Sequence, residues 1–282
     1  EVLMFISIIL IIEKIKIIVC IALCFSIAFS VNSDEDGYSD QLELNMGTDP
    51  NNKEDRYYYG YWPFNIDKEA IDGANIPVDC SLSEIKNISC ECVANIDCIN
   101  NNCQKSIRGG SYCTPQPGDT FPHFIAVDQY GESVDIYDFS MQGKIIVLEF
   151  GSGWCAPCQQ LSSWLSSGDN SVTRNPWWKK EYQIIRERVN KGEIIFITIL
   201  FQDQLKDNAS YDTVMNWHEK YPNDKIPILA DEYADIHRWI KPTGYPCINL
   251  LDENMRLINF TSRGLTQAFN ILSGLEPMPK AN

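Results

Sequence analysis

The chain has 282 residues, 44% hydrophobic and 22% charged, enough for one sizeable core with smaller attachments. Its 38 acidic residues outweigh 23 basic ones, for a formal net charge of −15. That balance speaks against nucleic acid as a partner, since a protein that binds a polyanion carries a basic face. It suits a secreted protein or one that binds cations.

From Met4 to Ile27 the sequence is almost wholly apolar, interrupted by Glu13, Lys14 and Lys16. The run from Ile17 to Ile27 follows the lysines and meets Ala28-Phe29-Ser30. This order of charge, apolar run and small residues is that of a secretory signal peptide over residues 1–30, with an uncleaved membrane anchor as the alternative. Membrane contact is expected only through this segment, if it stays uncleaved. The expected location is then periplasmic, cell-surface or secreted, and clustered cysteines in such a compartment are usually disulfides. Of the 11 cysteines, Cys20 and Cys24 belong to the signal segment, six fall between Cys80 and Cys113, Cys155 and Cys158 form a pair, and Cys247 is left over.

Residues 31–55 carry the next motif. Asn32-Ser33-Asp34-Glu35-Asp36-Gly37-Tyr38-Ser39-Asp40-Gln41-Leu42-Glu43 fits the twelve-residue calcium loop, with Asn for Asp at its first position. Oxygen ligands for a structural Ca²⁺ are expected from Asn32, Asp34, Asp36, the Tyr38 carbonyl, Asp40 and bidentate Glu43, with Gly37 at the sharp turn. The continuation Leu44-Asn45-Met46-Gly47-Thr48-Asp49-Pro50 resembles the calcium repeats of thrombospondin type 3 and of bacterial surface proteins. An acidic flexible spacer is the alternative.

Residues 56–79, aromatic at their start and without clear period, read as a linker. Residues 80–116 read as a disulfide-rich segment. Cys80, Cys90, Cys92, Cys98, Cys103 and Cys113 lie in sequence of little apolar content, and six cysteines permit 15 pairings among which spacing does not choose. Zinc is the weaker alternative, because the cluster has no histidine and no paired CxxC spacing.

Residues 117–282 alternate strands and helices. Phe121 to Val127 and Ser133 to Ile136 flank Gln129-Tyr130-Gly131 as a hairpin. Lys144 to Phe150 and Ile194 to Leu200 are apolar runs of buried-strand type. A helix is expected from near Cys155, carrying Leu161, Trp164 and Leu165, and a second from Pro176 to Val189. Further helices are expected over Tyr211 to Tyr221, Asp231 to Ile240 and Thr266 to Leu272, with a strand at Ile226 to Leu229 and a hairpin of Cys247 to Leu251 with Arg256 to Phe260. The pattern is that of an α/β sheet covered by helices.

Trp154-Cys155-Ala156-Pro157-Cys158 follows a predicted strand and opens a predicted helix. A cysteine at a helix N-terminus faces unpaired N–H groups and the positive end of the dipole, which favour thiolate. Two intervening residues bring the second cysteine one turn along, within reach of a disulfide. With Leu148-Glu149-Phe150-Gly151-Ser152-Gly153 before it, the stretch resembles the active site of the thioredoxin superfamily, most of all exported TlpA/ResA-type and redoxin proteins. Pro117 to Phe124 resembles the lead-in to their extra N-terminal hairpin, and Thr243 to Asp252 their cis-proline strand. The resemblance implies a thioredoxin fold, a central mixed sheet flanked by helices with an N-terminal β-hairpin, here preceded by the disulfide-rich segment.

It also implies roles. Cys155 would be the nucleophile, Cys158 the resolving thiol, Glu149 a buried acid serving Cys158, and Pro246 a cis residue placing Tyr245 beside the sulfurs, with Trp154 packed along the substrate groove. Cys247, where relatives carry a small residue, is expected to be buried and inert, with a third redox thiol as the alternative. Trp177 and Trp178 belong to a groove rim or to the core. His123, His218 and His237 form no ligand set and are expected to be structural. The implied activity is dithiol–disulfide exchange on exported proteins, as reductase or isomerase, with no cofactor for the redox chemistry. A reductase would draw electrons from a membrane donor. The reading from another class is a calcium-stabilised surface binding protein with the thioredoxin-like part as scaffold, and a static structural disulfide is the corresponding reading of the CxxC pair.

Overall fold

The computed structural model describes residues 31–36, 38–53, 55, 58–71, 80–81, 84–106, 109–240, 242–261 and 263–278. The expected signal segment with Cys20 and Cys24, the loop glycine Gly37 and residues 72–79 of the expected linker lie outside the described residues. No helix among the described residues is long and apolar enough to cross a membrane. The chain divides into two compact units, Glu1–Tyr57 and Tyr58–Asn282.

In the first unit, helix α1 (Asp40–Met46) starts where Ser39 Oγ accepts the Leu42 N–H and ends at Gly47, whose φ of 86° closes the helix. Both ends thus follow local capping chemistry. The turn is short, and its interior is acidic rather than apolar: Glu43 is buried.

The second unit begins with small antiparallel pieces. Strands β1 (Cys103–Lys105) and β2 (Ser111–Cys113) pair with Cys103 opposite Cys113. Three disulfides hold this segment: Cys80–Cys90, Cys92–Cys103 and Cys98–Cys113. A segment this poor in apolar residues has little core of its own, and cross-links restrict its unfolded state. Strands β3 (Ile125–Val127) and β4 (Ser133–Asp135) form the second hairpin.

The main sheet follows. Strand β5 (Ile146–Gly151) leads into helix α2 (Ala156–Ser167), then helix α3 (Gln183–Asn190), strand β6 (Ile195–Leu200), helix α4 (Tyr211–Lys220), strand β7 (Ile228–Ala230) and helix α5 (Asp235–Ile240). Strands β8 (Cys247–Leu251) and β9 (Leu257–Asn259) precede the last helix, α6 (Leu265–Leu272). The sheet order is β7-β6-β5-β8-β9, with β5, β6 and β7 parallel and β8 and β9 antiparallel to their neighbours.

Side chains alternate across a strand, so each strand feeds two cores. Val147, Phe196, Leu200, Ile248 and Leu250 face one way and pack under α2, α3, α4 and α6. Ile146, Leu148, Phe150, Ile197, Ile199, Cys247 and Leu251 face the other way, under α5 and the β3–β4 hairpin. Burial on both faces explains why β5 and β6 read as near-continuous apolar runs, interrupted only by Glu149 and Thr198. Each large side chain so buried contributes roughly 1.5–3 kcal/mol. Gly264 shows how tightly α6 meets the sheet: at φ +62° a Cβ there would lie 1.8 Å from the Ile248 carbonyl oxygen.

Three expectations need correction. The helix expected from Pro176 starts at Gln183, after 3-10 turns at Asn170–Arg174 and Lys180–Tyr182. Trp177 and Trp178 are drawn into the helix-side core, with Trp178 edge-on to Trp164 at 4.9 Å and Trp177 edge-on to Phe269 at 6.1 Å. Tertiary burial overrides the helix start there. The helix expected from Asp231 starts at Asp235, because the Asp231 carboxylate accepts the Asp235 and His237 N–H groups and caps the turn. Residues 58–71 are not a free linker. Tyr58 and Trp62 are buried in the second core, where the Trp62 indole donates to Asp128 at 2.9 Å and Lys68 meets Asp138 at 2.8 Å. Aromatic side chains with a polar handle bury only where that handle finds an acceptor.

Candidate redox site and calcium loop

Strand β5 ends at Gly151, and a tight turn over Ser152, Gly153 and Trp154 delivers Cys155 to the N-cap of α2. The turn passes so close to the chain at Asp203 that a Cβ on Gly153 would lie 2.5 Å from the Asp203 carbonyl carbon. Pro157 stands in the first turn of α2, where its missing N–H has no partner to lose. Cys155 and Cys158 are joined, Cα to Cα 5.3 Å, and Cys155 Sγ accepts the Cys158 N–H at 3.2 Å. This N–H is one of the orphan donors of the helix start, and it favours negative charge on Cys155 once the pair is reduced.

The two sulfurs are not equivalent. Cys155 lines a surface groove of about 400 Å³ together with Trp154, Pro157, Pro242 and Tyr245, and Cys158 does not. The Cys158 sulfur lies under the sheet end, 3.4 Å from where a Cβ on Gly151 would sit. The Tyr245–Pro246 peptide bond is cis, and Pro246 is buried at the start of β8. Tyr245 meets Trp154 edge-on with ring centroids 5.7 Å apart, and the half-exposed Trp154 is fixed by its indole N–H to Gln202 Oε1 at 3.0 Å.

Glu149 occupies the middle of β5, fully buried, two residues before Gly151 and so on the same face as the Cys158 sulfur. Its Oε2 accepts the Thr198 hydroxyl at 2.8 Å, while Oε1 has no hydrogen-bond partner among the described residues. Burial pushes its carboxyl up to about 7, against the smaller opposing pull of the Thr198 hydroxyl. An acid that holds its proton near neutrality and faces the buried sulfur can give that proton to a leaving thiolate.

Cys247 points to the opposite face of the sheet from the disulfide, buried among the second core. Its thiol is pushed up to about 12 by burial, with the Asn249 amide and Arg263 pulling the other way. A thiol so protonated is a poor nucleophile.

Behind Tyr245, outside the groove lining, lies a cluster that sequence reasoning did not assemble. His237 stacks on Phe201 with centroids 3.6 Å apart and meets the Tyr245 hydroxyl at 2.9 Å, with Asp231 behind it. His237 lies on α5, Phe201 follows β6 and Tyr245 precedes β8, so no local spacing signals the cluster. His123 meets Asp135 at 2.8 Å and His218 packs edge-on against Tyr130, and neither lines the groove at Cys155.

In the first unit, Asp34, Asp36 and Glu43 bring carboxylate oxygens within 4.8 Å of one another. Asn32 Oδ1, Asp34 Oδ2 and both Glu43 oxygens are buried without a hydrogen-bond partner among the described residues. Burial first, then Asp36, Asp34, Asp40 and Asp49, pushes the Glu43 carboxyl up to about 7. Buried oxygens gathered together with no donor on them among the described residues fit a hard cation. Asp40 is engaged differently: its two oxygens accept the Ser33 N–H and hydroxyl, each at 2.7 Å. Tyr38 is buried, and its N–H donates to Asp36 Oδ1 at 2.8 Å.

The five-stranded order, the CxxC at the start of α2 and the cis-proline before β8 define a thioredoxin fold. Residues 33–53 match the family model of the bacterial thrombospondin type 3 repeat. No curated protein sequence matches the chain. Among solved structures, the chain is similar to the thioredoxin domain of a thiol–disulfide oxidoreductase from Bacteroides vulgatus, at 18% identity and TM-score 0.38 over 57% of this chain and 99% of that one. It is similar to the exposed lipoprotein thioredoxin of Streptococcus pneumoniae, at 18% identity and TM-score 0.35 over 52% and 98%. It is also similar to the peroxidoxin BcpB of Mycobacterium tuberculosis, at 12% identity and TM-score 0.38 over 57% and 98%.

Proposed function

We propose that the chain is an exported thiol–disulfide oxidoreductase that exchanges electrons with protein thiols through Cys155 and Cys158. The observation that carries the reading is the asymmetry of the pair: Cys155 caps the helix and opens on the groove, and Cys158 lies behind it. A static cross-link has no use for this arrangement, and a loop this small constrains the unfolded chain little.

In the reducing direction, the Cys155 thiolate attacks one sulfur of a substrate disulfide. The Cys155–substrate bond forms, the substrate S–S bond breaks, and one substrate thiolate leaves. Cys158, as thiolate, then attacks Cys155 Sγ, closes the Cys155–Cys158 bond and releases the second substrate thiolate. Glu149 takes the proton that Cys158 gives up, and returns it when the reaction runs backward. The chemistry needs no cofactor. As a reductase or isomerase of exported proteins the pair would be kept reduced by a membrane donor, and the N-terminal segment would direct export.

The calcium loop is a structural element of this reading. Asn32, Asp34, Asp36, Glu43 and the Tyr38 carbonyl would hold Ca²⁺, which supplies charge to offset the clustered carboxylates; Asp40 would act through Ser33. Residues 31–55, 80–116 and 117–282 would be its calcium, disulfide-rich and redox parts.

The test is a redox titration of the Cys155/Cys158 pair in the full chain against glutathione. A potential near −270 mV fits a reductase with its own electron supply, and one near −120 mV an oxidant of exported thiols. A pair that does not equilibrate with glutathione at all refutes the enzyme reading and leaves the calcium-stabilised binding protein.

A further inference from the structure

One wall of the redox groove is braced from behind by polar groups that the exchange chemistry does not use. The Tyr245 hydroxyl lies 2.9 Å from His237 Nε2, and His237 Nδ1 lies 3.5 Å from Asp231 Oδ2. His237 is 2% exposed and Asp231 1%. Asp231 is itself fixed by the Asp235 and His237 N–H groups, at 2.6 and 3.1 Å. Phe201 completes the brace, stacked on His237 at 3.6 Å and on Tyr245 at 5.3 Å.

A histidine and a carboxylate are costly to bury, and packing alone would be served by apolar side chains. Neither Asp231 nor His237 lines the groove, so whatever they do there passes through Tyr245. The ring of Tyr245 stands edge-on to Trp154, so fixing the phenol fixes the spacing of two aromatic walls beside Cys155. Among the described residues that line the groove none is charged, and Trp154, Pro157, Pro242 and Tyr245 dominate. The Lys206 ammonium lies 5.7 Å from the Trp154 ring centroid and Arg263 lies beside Gly244, at the groove's margins. A preformed apolar groove avoids the cost of ordering its walls when a chain enters.

Taking Cys155 as the exchanging sulfur, we propose that Asp231 and His237 are positioning residues that hold Tyr245 as a rigid groove wall, and that this wall selects polypeptide disulfides with apolar side chains beside the cysteine. A small disulfide such as that of glutathione reaches Cys155 without leaning on the wall; a peptide must fit between the rings.

The test compares the full chain with its Tyr245→Phe, His237→Leu and His237→Gln variants. The probes are a short peptide disulfide with leucine on each side of cysteine, and glutathione disulfide. Loss of one hydrogen bond that orders the wall should raise KM for the peptide about tenfold in Tyr245→Phe and His237→Leu. His237→Gln, whose amide can still donate to the hydroxyl, should restore it to within about twofold. The glutathione rate of the His237 variants and the potential of the sulfur pair should stay at the wild-type value. Affinity for the same peptide with serine in place of cysteine, measured by calorimetry, should fall by the same factor. That last readout needs no exchange, so an inert sulfur pair and a misassigned wall give different results. Tyr245→Phe keeps the ring and carries the test if His237→Leu does not fold. An unchanged peptide KM and affinity in Tyr245→Phe, an equal rise for glutathione, or a shifted potential overturns the proposal.

Discussion

Replacing Glu149 by glutamine keeps the shape of the side chain and the acceptor for the Thr198 hydroxyl, and removes only the ability to ionise. The carboxyl sits fully buried with its titration raised from 4.5 to about 7. Below the unfolded value both folded and unfolded chains hold the proton, and ionisation has no effect on stability. Between that value and about 7 the unfolded chain ionises first, so the wild type loses stability as pH rises. Above about 7 the loss is complete. At 1.36 kcal/mol per pH unit, the span corresponds to roughly 3 kcal/mol. Glu149→Gln should therefore gain roughly 3 kcal/mol on the wild type between pH 4.5 and pH 8. Any fixed packing cost of the amide cancels in that difference, as do the other carboxylates common to both proteins. Urea unfolding of the oxidised full chains across this range measures it. A stability difference that stays constant with pH would refute the assignment of Glu149 as a buried acid protonated near neutrality.

Two further substitutions probe the rest of the account. Glu43→Gln should weaken calcium binding more than tenfold from a wild-type Kd on the order of 10⁻⁴–10⁻³ M, read by calorimetry on the full chain, because it removes the charge of the carboxylate proposed as the bidentate ligand. Gly153→Ala drives a Cβ into the backbone at Asp203 and Gln204. It should cost about 1–3 kcal/mol in urea unfolding and slow exchange, since Trp154 and Cys155 follow directly.

What the sequence made legible is what local spacing carries. The CxxC and the acidic loop set their own geometry within a dozen residues: Cys155 and Cys158 are bonded, and carboxylate oxygens of Asp34, Asp36 and Glu43 come within 4.8 Å of one another, while Asp40 turns to Ser33. Strands β5 and β6 were visible because both faces are buried, which leaves a near-continuous apolar run in each. Non-local features were hidden. The region around Trp177 and Trp178 carries helix signals, yet the half-buried indoles pack against Trp164 on α2 and Phe269 on α6, the latter far along the chain. The aromatic stretch from Tyr58 looked like a linker because its partners, Asp128 and Asp138, lie on the β3–β4 hairpin and the turn after it. Disulfide pairing among six cysteines is a property of the folded path, not of their spacing. His237 looked isolated because Asp231 caps its helix and Tyr245 joins it only when β8 enters the sheet.

The central claim is that Cys155 forms, and Cys158 resolves, a mixed disulfide with a protein substrate. The most direct measurement is to incubate the full-length Cys158→Ser variant, reduced, with a disulfide-bonded protein, and to map the trapped adduct by mass spectrometry. The expected outcome is a stable mixed disulfide on Cys155, none on Cys247, and rapid loss of the adduct when Cys158 is present. No adduct on Cys155, or one that resolves equally fast without Cys158, would contradict it.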